Sequence, residues 1–430
     1  MPTEWPIPAI AKESPVMCAP SPTTPSVQSC FFARHPIFDR NMNLWGYQLL
    51  YRDCEQAETA RFEDQDQATV QVVLEAAASP SLGLARNTYL LMEFSTTALV
   101  HEVPYALPPH NTIIKLTPSL CRDAVLPGMI NELRAAGYQL ALDGPLDSCR
   151  HVLAETDYLI VDALTESPEE FSKAMDSATR TGIPVLVKRI ETPEAFAAAK
   201  SLGAELFLGF FFQKPEIIAS KKLSSVQIVR LKLLKMLDNK NEDWNEISLT
   251  LQNDVSLTYR LLKFINSPFF GVVQPITTVQ RAIAYMGAKQ ARIWLRMVIL
   301  TDLAPPEKTS QLPLLSAQRG RFLELLGTNL PDADPDELFL LGLFSLLDVM
   351  FDMSMPDLVD FLPLNGPLKA TLCGRPGPFT PWLELAVQFE QGQWDRVDVL
   401  GTQLGLTPIQ VGTSYAQAMT WAEDFFRVAG

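Results

Sequence analysis

The residue types best suited to chemistry are few in this chain and unevenly spread. Its four histidines, His35, His101, His110 and His151, all lie within the first 151 residues, so nothing from Pro215 to Gly430 can offer an imidazole. A metal centre built on histidine nitrogens is therefore excluded from that second part. Six cysteines, Cys18, Cys30, Cys54, Cys121, Cys149 and Cys373, are scattered without CxxC spacing. Over this length they read as reduced thiols of a cytoplasmic protein, neither zinc ligands nor a disulfide framework. Any site must then rest on carboxylates, lysines and arginines, and the question becomes which elements bring them together.

From Phe31 the chain alternates short apolar runs with helical patterns. Phe31–Phe38 and Leu44–Tyr51 flank a polar turn at residues 39–43 and predict an antiparallel hairpin. Further strands are predicted at Tyr89–Phe94, Thr112–Leu116, Gln139–Asp143, Tyr158–Asp162, Pro184–Arg189 and Glu205–Phe211. Ser167-Pro168-Glu169-Glu170 and Thr192-Pro193-Glu194 are helix starts, each with a capping hydroxyl and a proline at the first helical position. Gly137, Gly182 and Gly203 stand where helices end. Repeated strand–helix units predict an α/β barrel, whose functional side chains come from the C-terminal ends of its strands.

The composition is that of a globular protein, with 47% hydrophobic and 20% charged residues. A net charge of -14 argues against sequence-independent binding to nucleic acid or to anionic membrane surfaces, which both need clustered Lys and Arg. No run of about 18 uncharged apolar residues reads as a membrane span, and the start of the chain, with Glu4 and repeated prolines, is no signal peptide. Residues 1–30, with seven prolines, are expected to form a flexible arm.

The ordered motifs resemble those of a known family. Phe32-Ala33-Arg34-His35-Pro36-Ile37-Phe38-Asp39-Arg40 and Gly46-Tyr47-Gln48-Leu49-Leu50-Tyr51-Arg52 resemble the opening of the EAL half of EAL–HDOD signalling proteins. Ile190-Glu191-Thr192, Gly203 and Gly209-Phe210-Phe211-Phe212-Gln213-Lys214-Pro215 resemble its end. Active EAL domains hydrolyse cyclic di-GMP with two divalent cations, which oxygen ligands must hold. Carried over by the resemblance, the motif glutamate falls on Gln48, the phosphate-facing arginine on Arg52 and the strand-end asparagine on Glu93. The next glutamate falls on Lys115, and the glutamate that steadies the loop over the metals on Pro118. Of the paired aspartates Asp143 remains and the second is Gly144. The lysine near the attacking water is Ile160, with Asp162 kept two residues on. The late metal glutamate is Lys188, Glu191 is kept, and the glutamine before the terminal glycine is Leu208.

Lys115 and Lys188 would each carry a positive charge to where a dication should sit, a repulsion of roughly several kcal/mol at close range. The expectation is that they pair with Glu93, Asp143 or Glu191, and that the site holds no metal and no cofactor. Arg52 alone is a weak basis for binding cyclic di-GMP.

After Pro215 the strand signal stops and helical spacing begins. Val226, Val229, Leu233 and Leu237 share one face, with Lys222, Arg230, Lys232 and Lys235 on a solvated side. The stretch Asp254–Pro268, with Phe270-Gly271, Ile276-Thr277-Thr278-Val279, Ala282-Ile283 and Met286-Gly287, resembles an HDOD domain. Prolines 305, 306 and 313 mark a loop, and Glu337–Met350 and Pro381–Gln391 are predicted helices. The predicted organisation is an arm over 1–30, an EAL-type barrel over 31–218 and an HDOD helical domain over 219–430. The short connection Pro215–Lys222 predicts that the two domains pack firmly together.

With both sites depleted, the sequence points to a cytoplasmic protein that is not an enzyme, but a signalling scaffold binding protein partners. The alternatives are a cyclic di-GMP receptor without hydrolysis, or a weak phosphodiesterase using Asp143, Asp162 and Glu191.

Overall fold

The computed structural model describes residues 31–52, 88–123, 126–165, 167–214, 230, 233–234, 236–237, 244–252, 254–303, 309–328, 330–362 and 364–429. The arm, the Pro215–Lys222 connection, Val226 and Val229 lie outside them, as do Cys18, Cys30 and Cys54.

Eight strands close into a barrel in the order β1 to β8: β1 Phe31–Asp39, β2 Leu44–Arg52, β3 Tyr89–Glu93, β4 Thr112–Leu116, β5 Gln139–Asp143, β6 Tyr158–Asp162, β7 Val185–Lys188 and β8 Leu206–Leu208. β1 is antiparallel to both β2 and β8, while all other neighbours run parallel. The hairpin predicted for the first two strands therefore supplies one reversed stave of the closed barrel. β8 is shorter than predicted because Gly209 turns the chain sharply: a Cβ there would lie 2.0 Å from the Ile190 carbonyl oxygen. Only glycine lets the backbone pass this close.

Alternate residues face inward, and they form three levels. At the N-terminal end Trp45 stacks on Tyr89 at 4.5 Å and meets Tyr158 edge-on. The middle level is an apolar cluster that includes Leu91, Ile113, Ala141, Ile160, Leu186 and Leu208. Two residues further along the same strands come Glu93, Lys115, Asp143, Asp162 and Lys188. The closed, dry layer beneath is what fixes the charged level at the mouth. The predicted helix starts also hold: Ser167 caps through the Glu170 amide and Thr192 through that of Ala195.

The remainder is helical. Asp254 caps the helix Val255–Ile265, which stops at Asn266 ahead of Pro268. Two predictions change. Pro313 lies in the first turn of the helix Gln311–Gly327, where a missing N–H leaves no carbonyl unpaired. The predicted helix Glu337–Met350 is broken into Pro335–Phe344 and Leu347–Phe351, with Leu346 at φ -121°, ψ 17° between them.

Barrel and helices are joined by a polar clamp. Arg319 is 3% exposed and grips Glu390 with two bonds of 2.7 Å, from Nε and Nη2, while Nη2 also donates to Gln213 at the end of the barrel and Nη1 to Ser345. His35 Nε2 sits 2.7 Å from the Glu390 carbonyl, Tyr47 donates to Gln311 at 3.1 Å, and Arg34 pairs with Glu423. Burial pushes the His35 pKa down to about 4, despite the partial compensation from the Glu390 carbonyl. The ring is therefore neutral and donates from Nε2.

Candidate functional site at the barrel mouth

The strand register sets the site. β3 and β4 place Glu93 beside Lys115, β6 and β7 place Asp162 beside Lys188, and β5 ends between them on Asp143. Lys188 Nζ lies 2.7 Å and 2.8 Å from the two Asp143 oxygens and 3.8 Å from Asp162. Lys115 Nζ lies 2.6 Å from Glu93 and 3.5 Å from Asp143. Both ammonium groups are thus ion-paired at the mouth, as anticipated. Burial opposes the Lys115 charge, yet Glu93 and Asp143 outweigh it and hold its pKa above the ordinary lysine value. Arg189, absent from the sequence reasoning, closes the series by donating from Nε to Asp162 at 2.6 Å. Its signal was only its position next to Lys188.

The other positions carried over by the resemblance divide clearly. Ile160 and Leu208 belong to the apolar layer below the mouth. Gln48 is half-buried in β2, paired with His35 of β1 and Leu91 of β3. Glu191 is exposed beyond β7. Arg52 ends β2, and its side chain is outside the described residues. Pro118 and Gly144 prove to be one feature. A Cβ at 144 would lie 2.5 Å from Pro118 Cγ, so the proline ring fills the space that a second aspartate would need to leave the backbone.

Two divalent cations do not fit these residues. Their expected places are taken by ammonium groups, Asp143 is already satisfied, and among the described residues no group of three or more His, Cys, Asp or Glu side chains could hold a metal ion. What the mouth does hold is a cleft of about 840 Å³. Asp143, Asp162, Lys188 and Arg150 line it, together with Pro118 and Gly144. Each lysine ammonium has three donors, so Lys188 keeps one and Lys115 at least one for an incoming oxygen.

Residues 223–358 match the HDOD domain family. The chain is 27% identical over 416 residues to Cyclic di-GMP phosphodiesterase CdgJ of Vibrio cholerae, covering 95% of each protein. It is also 27% identical over 404 residues to Uncharacterized protein YuxH of Bacillus subtilis, covering 92% of this chain and 98% of that one. Among solved structures, BlrP1 of Klebsiella pneumoniae in a manganese and cyclic di-GMP complex is 21% identical over 45% of this chain and 57% of that one, with a TM-score of 0.36. The chain spans a little over half of BlrP1. A standalone EAL protein of Vibrio cholerae in a cyclic di-GMP-bound form is 20% identical over 44% of this chain and 92% of that one, with a TM-score of 0.34.

The similarity to CdgJ corrects one expectation. The chain was expected not to be an enzyme because metal-ligand positions are lost, but a relative alignable from end to end is named for the phosphodiesterase reaction. Neither named relative supports the expected protein-partner scaffold. Among the described residues no helix is long and apolar enough to cross a membrane. The chain carries an HDOD domain behind a closed eight-stranded barrel, the architecture of the EAL–HDOD proteins that its sequence resembles.

Proposed function

We propose that this protein is a cyclic di-GMP phosphodiesterase of low turnover, acting at the barrel mouth. The observation that carries this reading is the alignment with CdgJ over 95% of both chains. The geometry supports it in a specific way. Lys188 lines a cleft roomy enough for a dinucleotide, and Lys115 stands behind it across Asp143, so both bring fixed positive charge to the mouth and Lys188 keeps a spare donor for the cleft. Fixed cations aimed at a phosphodiester stabilise the charge that develops as water adds to phosphorus.

In the proposed step a water oxygen bonds to phosphorus and one P–O ester bond breaks, opening the ring to a linear dinucleotide. Asp162, at the edge of the network, takes the proton of the attacking water, and the leaving oxygen is protonated from solvent. Asp143 holds Lys188 in place. Two ammonium groups stabilise charge less than metal ions do and generate no hydroxide, which accounts for a slow reaction. Calorimetric titration with cyclic di-GMP tests the recognition half. The full chain is expected to bind, with affinity reduced at least about tenfold in Lys188→Met; no heat for either protein would refute it.

A further inference from the structure

A second cavity, of about 460 Å³, lies wholly within the helical part. Its lining is largely aromatic, with Phe264, Phe270, Trp294, Trp421 and Phe425. Phe264 lies 5.9 Å from Trp294 and 5.6 Å from Phe425, and Trp421 lies 6.1 Å from Phe425, centroid to centroid. At the rim stand Lys289 and Arg321, the guanidinium 5.6 Å from the Trp421 ring.

Three observations mark this as a ligand site beyond a packing defect. First, its volume falls in the range of small-molecule sites, roughly 300–1,000 Å³, and planar aromatic walls favour a planar ring. Second, Trp294, 1% exposed, has an indole N–H without a hydrogen-bond partner, and so does the buried Nε of Arg321. Buried unpaired donors are costly and uncommon, and both belong to residues that line this cavity. Third, Lys289 and Arg321 share a single carboxylate, Glu324, at 3.3 Å and 2.8 Å. Asp424, also on the cavity, is taken up by Arg427. Two cations against one carboxylate leave a net positive rim.

We propose that this cavity binds a small planar heteroaromatic anion of the purine nucleoside monophosphate class. The ring would lie against the aromatic lining, its acceptors meeting Trp294 and Arg321 after a small side-chain adjustment, with the phosphate at Lys289. The proposal does not depend on the barrel reaction.

The test is calorimetric titration of the full chain with GMP, guanosine and inorganic phosphate. GMP is expected to bind, guanosine about tenfold more weakly, and phosphate not measurably. Trp294→Phe keeps the ring wall and removes the N–H, and Arg321→Lys keeps the charge and removes the fork. Each should weaken GMP about fivefold to tenfold, while Lys188→Met at the barrel mouth should leave GMP unaffected. The proposal is overturned if GMP shows no binding at millimolar concentration, or if phosphate binds as well as GMP. It is equally overturned if guanosine matches GMP, if both cavity variants bind like the parent, or if binding disappears with Lys188→Met.

Discussion

Lys188 holds both oxygens of Asp143, at 2.7 and 2.8 Å, across the mouth of the barrel. The lysine comes from β7 and the aspartate from β5, two staves apart, so the bond spans the strand between them. Asp143 in turn stands 3.5 Å from Lys115, and one carboxylate therefore organises two cations. Removing either partner strands a charge in a site where both Asp143 and Lys115 side chains are only about a tenth exposed.

Lys188→Met should lower thermal stability as well as turnover. The partner left behind is a largely buried carboxylate, and breaking such a pair costs about 3–5 kcal/mol when fully buried. With Lys188 27% exposed, roughly 1–3 kcal/mol is expected once solvent screening is allowed for. Denaturant unfolding with an unchanged m-value is the check; a loss below a few tenths of a kcal/mol would mean that the pair is not held in solution.

Gly144→Ala should destabilise by about 1–3 kcal/mol, because the new methyl meets Pro118. Combining it with Pro118→Ala should restore only part of the loss: the shared space is relieved, while the φ of +158° at position 144 still strains an alanine. Additive destabilisation in the double variant would show that the clash is not the cause.

Arg319→Met leaves Glu390, Gln213 and Ser345 without their shared partner at the junction of barrel and helices. A cost of about 3–5 kcal/mol is expected, with solution scattering showing a looser particle. A compact particle of parental stability would contradict the clamp.

The His35 ring gives the junction a pH dependence. In the folded protein its pKa lies at about 4, against 6.5 for the free side chain. Below 6.5 the unfolded chain takes up a proton that the folded one refuses, so this contribution is complete above 6.5 and is lost as pH falls towards 4. The full effect is up to about 3 kcal/mol. His35→Gln should flatten the stability curve across that window; an unchanged slope would place the pH dependence elsewhere.

These contacts show where sequence is informative and where it is silent. Thr112–Leu116, Gln139–Asp143 and Tyr158–Asp162 were legible to the residue, because short, mostly apolar runs separated by helical patterns read as the strands of a parallel α/β sheet. The pairing of Lys115 and Lys188 was legible as a need, since a buried cation requires a partner. The junction was not. His35 and Glu390 are 355 residues apart, and Arg319 and Glu390 are 71 apart, and no local pattern ties them together. The break at Leu346 was hidden by a largely apolar and buried run, Leu338–Met350, interrupted only by Gly342, Ser345 and Asp348 and with little periodicity to read. The coupling of Pro118 to Gly144 is a matter of shape, visible only once β5 and the turn after β4 are side by side. Reading lost ligands as lost activity was an inference about function, and the resemblance to CdgJ corrected it.

The central claim is hydrolysis at the mouth, and the most direct measurement is chromatography of cyclic di-GMP incubated with the full chain and with Lys188→Met. The account predicts slow conversion to the linear dinucleotide by the parent and loss of at least about nine-tenths of that rate in the variant. No product from the parent over prolonged incubation, or equal rates from the two proteins, would contradict it.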